Sequence, residues 1–164
     1  MKSLKKILAC GILSVTVLSG SVMSAGACAC KDNCNCKDIN AKITMKKGEE
    51  YGPRLGGKKN NNHSVYFKFD KDSSLNKIKV SVYGMAAKAG QKNKNLTWVK
   101  GTGYVQSVVV KKGSAVQIQN QIKEEGYENC GLKLKNNVDG KKGTVKYAWS
   151  PDYCPGYGNV PVAG

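Results

Sequence analysis

Four cysteines fall close together in Cys28-Ala29-Cys30-Lys31-Asp32-Asn33-Cys34-Asn35-Cys36, a C-x-C-x₃-C-x-C pattern. Three chemistries fit it. In an extended chain, residues two apart share a face, so Cys28, Cys30, Cys34 and Cys36 could offer paired thiolates to one soft metal such as Cu(I) or Zn(II). Structural zinc sites usually space paired cysteines more widely, and no histidine lies nearby. The second chemistry is oxidation to disulfides. A hairpin around Lys31-Asp32-Asn33 would be cross-linked, with Cys130 and Cys154 bridged to each other or to the cluster. A bridge between Cys130 and Cys154 would stabilise by about 3 kcal/mol on the chain-entropy account. The third is lipidation of Cys28, because Ala25-Gly26-Ala27-Cys28 resembles a bacterial lipoprotein processing site. Ala25 stands there in place of the usual larger aliphatic residue.

Other reactive groups are sparse. His63 is the only histidine and sits where an Asn-rich loop runs into an apolar alternation, which reads as a strand edge. A Cys-His nucleophilic pair would need His63 beside Cys130 or Cys154 plus an orienting group, and nothing in the spacing marks one. The acidic pairs Glu49-Glu50, Asp70 with Asp72, and Glu124-Glu125 fall at expected turns or strand ends. Carboxylates for glycoside hydrolysis must instead face one another across a cleft. Gly101-Thr102-Gly103 lacks the following helix that a phosphate-cradling loop requires. The reading is therefore non-enzymatic, with no cofactor. Tyrosines remain, since exposed rings stack on sugars or bases. Tyr66 and Tyr83 fall on the outward phase of their alternations and, with Lys68 and Lys79, are the candidate binding face.

The frame around these residues begins with an export signal. Basic Met1-Lys2-Ser3-Leu4-Lys5-Lys6, an apolar run from Ile7 to Leu18 and small residues ending at Ala27 are its three zones. The apolar run is shorter than the ~20 residues of a membrane-spanning helix. Residues 1–27 are thus expected to be removed, placing the mature chain outside the cell, with lipid anchoring at Cys28 as an alternative. Taking the signal's Lys2, Lys5 and Lys6 from a net charge of +16 leaves +13 on the mature chain. Such a charge seeks polyanions: cell-wall polymer, an anionic membrane surface or nucleic acid. Arg54 is the only arginine. Bidentate reading of base edges favours arginine, so sequence-specific nucleic-acid binding is not expected. Six cysteines remain after the signal, an even number that suits disulfides outside the cytoplasm.

Beyond a cysteine-rich segment at 28–38, apolar residues alternate with period two. The sets are Ile39 to Met45, Val65 to Phe69, Ile78 to Val82, Leu96 with Trp98, Val108 with Val110, Val116 to Ile122, Cys130 to Leu134, and Val145 to Trp149. Turn-rich clusters separate these sets, Gly56-Gly57-Lys58-Lys59-Asn60-Asn61-Asn62 among them. About eight short strands and no crossover helices predict an all-β antiparallel sandwich over 39–152. Phe67, Phe69, Trp98 and Trp149 are its expected core. A Pro/Gly-rich tail at 153–164 should run irregularly, with Cys154 able to tie it down.

From Val108-Val109-Val110-Lys111-Lys112-Gly113-Ser114 and Ile122, through Gly131-Leu132-Lys133-Leu134-Lys135-Asn136-Asn137, to Trp149-Ser150-Pro151-Asp152, the chain resembles a known group. It is an uncharacterised family of small secreted proteins of Gram-positive bacteria, whose genes often lie near bacteriocin export or immunity genes. The resemblance covers roughly residues 60–152. It implies a secreted all-β domain with a part in antagonism between bacteria, and carries no catalytic residues over. The cysteine-rich start departs from the family's pattern. The expected function is binding of an anionic cell-envelope component by the basic surface. A metal-handling cysteine cluster is the alternative, and a secreted hydrolase stands third.

Overall fold

The computed structural model describes residues 34–154 and 159–163. The signal segment, Cys28 and Cys30 lie outside the described residues. Eleven strands are formed among those residues. β1 (Ile39–Met45), β3 (Val65–Phe69), β9 (Ala115–Ile118) and β11 (Gly143–Ser150) make one sheet in the order β1-β11-β3-β9. β2 (Glu50–Lys58), β4 (Lys77–Met85), β5 (Lys94–Asn95) and β10 (Asn129–Lys135) make a second in the order β2-β10-β4-β5, and β8 (Val108–Lys111) also pairs with β4. β6 (Trp98–Val99) and β7 (Gly103–Tyr104) form a small ribbon. Every strand pair is antiparallel. The protein is an antiparallel all-β sandwich.

Alternation in the sequence explains the layers. Phe67 and Phe69 of β3, Val145 and Trp149 of β11, Ile78, Val80 and Val82 of β4, and Leu132 and Leu134 of β10 all enter one buried cluster between the sheets. Each such side chain, fully buried, contributes about 1.5–3 kcal/mol. Phe67 and Tyr147, neighbours across β3 and β11, stack with ring centroids 5.7 Å apart. Trp98 is only half-buried. It sits in the short β6–β7 ribbon, which belongs to neither of the two large sheets.

Two departures from the sequence reading have clear causes. β2 runs through Gly52, Pro53, Gly56 and Gly57, residues that ordinarily interrupt a strand, and its ladder to β10 shifts register twice. A proline is tolerated there because β2 is an edge strand beside bulges. Gly56 is needed because the Trp149 indole occupies the space a Cβ would fill. The second departure is β9, which stops at Ile118, whereas the alternation continues to Ile122. Asn120 and Ile122 are buried there through turns, with Gly126 N donating to Lys123 O at 3.1 Å and Tyr127 N to Ile122 O at 2.9 Å.

The described part of the C-terminal tail is fastened to the first sheet. Val162 forms a parallel bridge with Gln117 of β9, supported by Gln117 N to Pro161 O and Ala163 N to Gln117 O, both 2.8 Å. The tail thereby occupies hydrogen-bonding groups of an edge strand, one of the ways sheets avoid edge-to-edge association.

Candidate functional site

Outward residues of β4 alternate with its core set, so Lys77, Lys79, Ser81 and Tyr83 share the outer face of the second sheet. Register then fixes their neighbours. Lys79 lies opposite Lys135 of β10, Ser81 opposite Lys133, and Lys77 opposite Lys111 of β8. Like charges directly opposed across an antiparallel pair are destabilising. Among the described residues, Lys77, Lys79 and Lys111 have no carboxylate within salt-bridge distance.

A polar groove of about 270 Å³ opens over this face, lined by Lys79, Tyr83, Lys133, Lys135, Asn95 and Gln106 among others. Its far wall is anchored to the strands. Ser81 Oγ donates to Gln106 O at 2.6 Å, and Asn95 Nδ2 donates to the same carbonyl at 2.7 Å. Glu50, on β2 opposite Lys135, is bound by both Lys133 and Lys135, the latter at 2.7 Å. Hydrogen bonds from Lys133 and then Lys135 hold its carboxyl at about 2. The same contact raises the Lys133 ammonium pKa. Three lysines against one carboxylate leave the groove cationic, with a tyrosine ring beside them.

Of the four residues expected on a binding face, Lys79 and Tyr83 line this groove and the other two do not. Tyr66 is buried, at 7% exposure. Its phase in β3 is outward, but chain segments cover it: burial, then Asp38 and Tyr153, raise its phenol pKa. Lys68 is exposed, but on β3 it belongs to the other sheet. Strand phase alone does not reveal covering segments, nor which of two sheets a strand joins.

A second constellation occupies the end of the first sheet. Lys59 and Asp152 are both fully buried and their side chains meet at 2.6 Å. The Lys59 ammonium also donates to the carbonyls of Pro151, at 2.7 Å, and His63. All three of its donors are thereby used. Asp152 Oδ2 accepts from Asn35 N at 2.8 Å and Asn60 N at 3.1 Å. Burial lowers the Lys59 pKa, and the Asp152 carboxylate opposes that shift.

The sulfurs sort differently from the sequence expectation. Those of Cys34, Cys36 and Cys154 lie within 4.8 Å of one another, with Cys34 and Cys36 2.7 Å apart. Cys130 stands outside this group as a buried thiol on the inner face of β10, so the Cys130–Cys154 bridge considered above is not formed. Burial pushes its pKa up to about 12 even with the Lys59 cation nearby. Of the proposed metal ligands, Cys34 and Cys36 do come together. Cys154 joins them, a residue the spacing of the N-terminal cluster could not nominate. Reduced, three such sulfurs are a donor set of the kind soft metals take.

His63 donates through Nδ1 to Tyr153 O at 3.2 Å. The acidic pairs are occupied locally: Asp70 Oδ1 accepts from Asp72 N at 2.7 Å, and Glu125 takes Lys94 and the Tyr104 hydroxyl, each at 2.6 Å. No two of these pairs are shown facing each other across the groove, which contains Glu50 as its one acidic lining residue.

Comparison with known proteins gives a family and no function. The chain belongs to the family described as "Protein of unknown function (DUF2712)", whose profile matches residues 25–153. That span reaches from the end of the export-like segment to the turn beyond β11, so the groove, Cys34 and Cys36 fall within it and Cys154 lies one residue past its end. No curated protein matches the chain.

Proposed function

We propose that this chain is an exported, non-enzymatic protein that holds an anionic polymer of the cell envelope in the lysine-lined groove over β2, β4 and β10. The observation that carries the reading is the cross-strand register, which opposes Lys79 to Lys135 and Lys77 to Lys111 on one face. Such pairing costs stability in the free protein, and a negatively charged ligand offsets that cost on binding. The groove also suits a polymer better than a flat membrane. It is concave and polar, and Tyr83 offers a ring that packs on a sugar or polyol unit. Lysine serves as a point charge for phosphate and does not impose the planar geometry that selects a base edge. Export is supported by the three-zone start of the sequence. A part in antagonism between bacteria is the finer reading suggested by the family resemblance.

The direct test is binding of poly(glycerol phosphate) to the mature protein by calorimetry, alongside vesicles of phosphatidylglycerol. The proposal expects polymer binding that Lys79→Ala with Lys135→Ala weakens at least tenfold while leaving the thermal midpoint close to wild type. Equal binding by that variant would remove the groove from the account. Binding to vesicles alone would replace the polymer with a membrane.

One observation favours a second reading, extracellular metal binding, because three sulfurs converge. It expects the reduced protein to retain Cu(I) or Zn(II) stoichiometrically through desalting, and to lose it when Cys34, Cys36 and Cys154 are all replaced by serine.

A further inference from the structure

We propose that the outer face of the first sheet is a second polyanion surface, so that one molecule bridges two chains of the anionic polymer. Its ligand is the one assigned to the groove, and the second site rests on that reading. Alternation fixes the geometry. Ile43 and Met45 of β1, Val145, Tyr147 and Trp149 of β11, and Phe67 and Phe69 of β3 all enter the core. The residues between them face outward, which puts Lys42, Lys146 and Lys68 on the side of the sandwich away from the groove.

Register brings these lysines together. Lys42 lies directly opposite Lys146 across β1 and β11, repeating the like-charge pairing of Lys79 with Lys135 on the groove side. Lys68 lies opposite Ala148 of β11 on one side and Ala115 of β9 on the other. Two methyl-sized neighbours leave its long side chain standing clear of the sheet, and Lys68 and Lys42 are both exposed. Strand spacing and rise place the backbones of Lys42 and Lys68 about 12 Å apart. Among the described residues, neither has a carboxylate within salt-bridge distance. Asp72 sits 3.9 Å from Lys146, and Asp38 lies near Tyr66. The exposed Lys71 and Lys37 adjoin these two acids in the chain, so the surface keeps an excess of positive charge.

Stacked sheets lie about 10 Å apart and their outer faces point in opposite directions. A short stretch of polymer therefore cannot lie along both faces of one molecule, and a second chain occupies the first sheet while the groove is filled. Long polymers become linked through the protein, with the gain in avidity that two attachments give. With Tyr66 buried, the first sheet offers no outward ring at these lysines and holds its chain by charge. It is the weaker of the two faces and the first to release its chain as salt rises.

The experiment pairs light scattering on mixtures with long poly(glycerol phosphate) and calorimetry with a short glycerol phosphate oligomer. The expected result is scattering that rises and then falls as protein is added to polymer, with two oligomers bound per protein. Lys42→Ala with Lys68→Ala should lower the scattering about tenfold, leave one oligomer bound and keep the groove's affinity for it. Lys92→Ala with Lys100→Ala removes the same charge from loop positions outside both faces and should leave scattering as in the wild type. Scattering that survives loss of Lys42 and Lys68, or that falls equally in the loop variant, would overturn the second face while Lys79→Ala with Lys135→Ala still weakens oligomer binding. Oligomer affinity indifferent to Lys79 and Lys135 would overturn the groove reading and the bridge together. A wild-type stoichiometry of one oligomer overturns the bridge even if a variant fails to accumulate.

Discussion

Lys59 shows how much one side chain can hold in place. Its ammonium meets Asp152 and two carbonyls with no exposure to water, and Asp152 in turn receives the backbone of Asn35 and Asn60. Removing the cation leaves a buried carboxylate uncompensated, which costs about 3–5 kcal/mol. Lys59→Ala should therefore lower stability by that order in urea unfolding, while Lys59→Met with Asp152→Leu should lose less than Lys59→Ala. Greater loss in the double variant would contradict the assignment of the cost to an unpaired charge. Glu50 sits at the other extreme of exposure, and its argument concerns pH. Its carboxyl is held at about 2 from an ordinary 4.5, by Lys133 first and Lys135 second. A depressed acid contributes its stability above the ordinary value and loses it as pH falls through the folded one. Glu50→Gln should thus lower the thermal midpoint at pH 7, with a difference that shrinks below pH 4.5 and is gone near pH 2. The same substitution removes the groove's negative charge, so it should tighten polyanion binding several-fold at pH 7. Unchanged or weaker binding would show that Lys133 and Lys135 do not contact the ligand.

At the scale of elements, the sandwich closes through glycines that accept large side chains. A Cβ on Gly56 of β2 would overlap the Trp149 ring, and one on Gly84 of β4 would come within 2.5 Å of the Tyr127 ring. Gly84→Ala should therefore destabilise by about 1–3 kcal/mol through overpacking, measured by chemical unfolding. A neutral effect would mean that Tyr127 can move aside. These contacts also explain what the sequence could and could not say. Runs such as Ile78-Val80-Val82 and Val145-Tyr147-Trp149 declare their strands because one face of each is buried. β2 shows no such pattern, and its Gly56 receives Trp149 from the other sheet, a partner nearly a hundred positions away in the chain. The groove was half legible. Strand phase placed Lys79 and Tyr83 outward, but only register brings Lys133 and Lys135 beside them. Tyr66 had the same outward phase and lies buried, because irregular segments carry no periodic trace of what they cover.

Across the whole molecule, the amount of charge and its placement have different consequences. The chain's net charge of +16 is of the kind that attracts polyanions without selecting among them, while the fold gathers a few of those lysines onto one concave face. The central claim remains the groove. The most direct test is a salt titration of poly(glycerol phosphate) binding, comparing wild type with Lys79→Ala combined with Lys135→Ala. The account predicts affinity that falls steeply with salt in the wild type and a slope of log affinity against log salt shallower by about two in the variant. Identical slopes, or binding indifferent to salt, would contradict it.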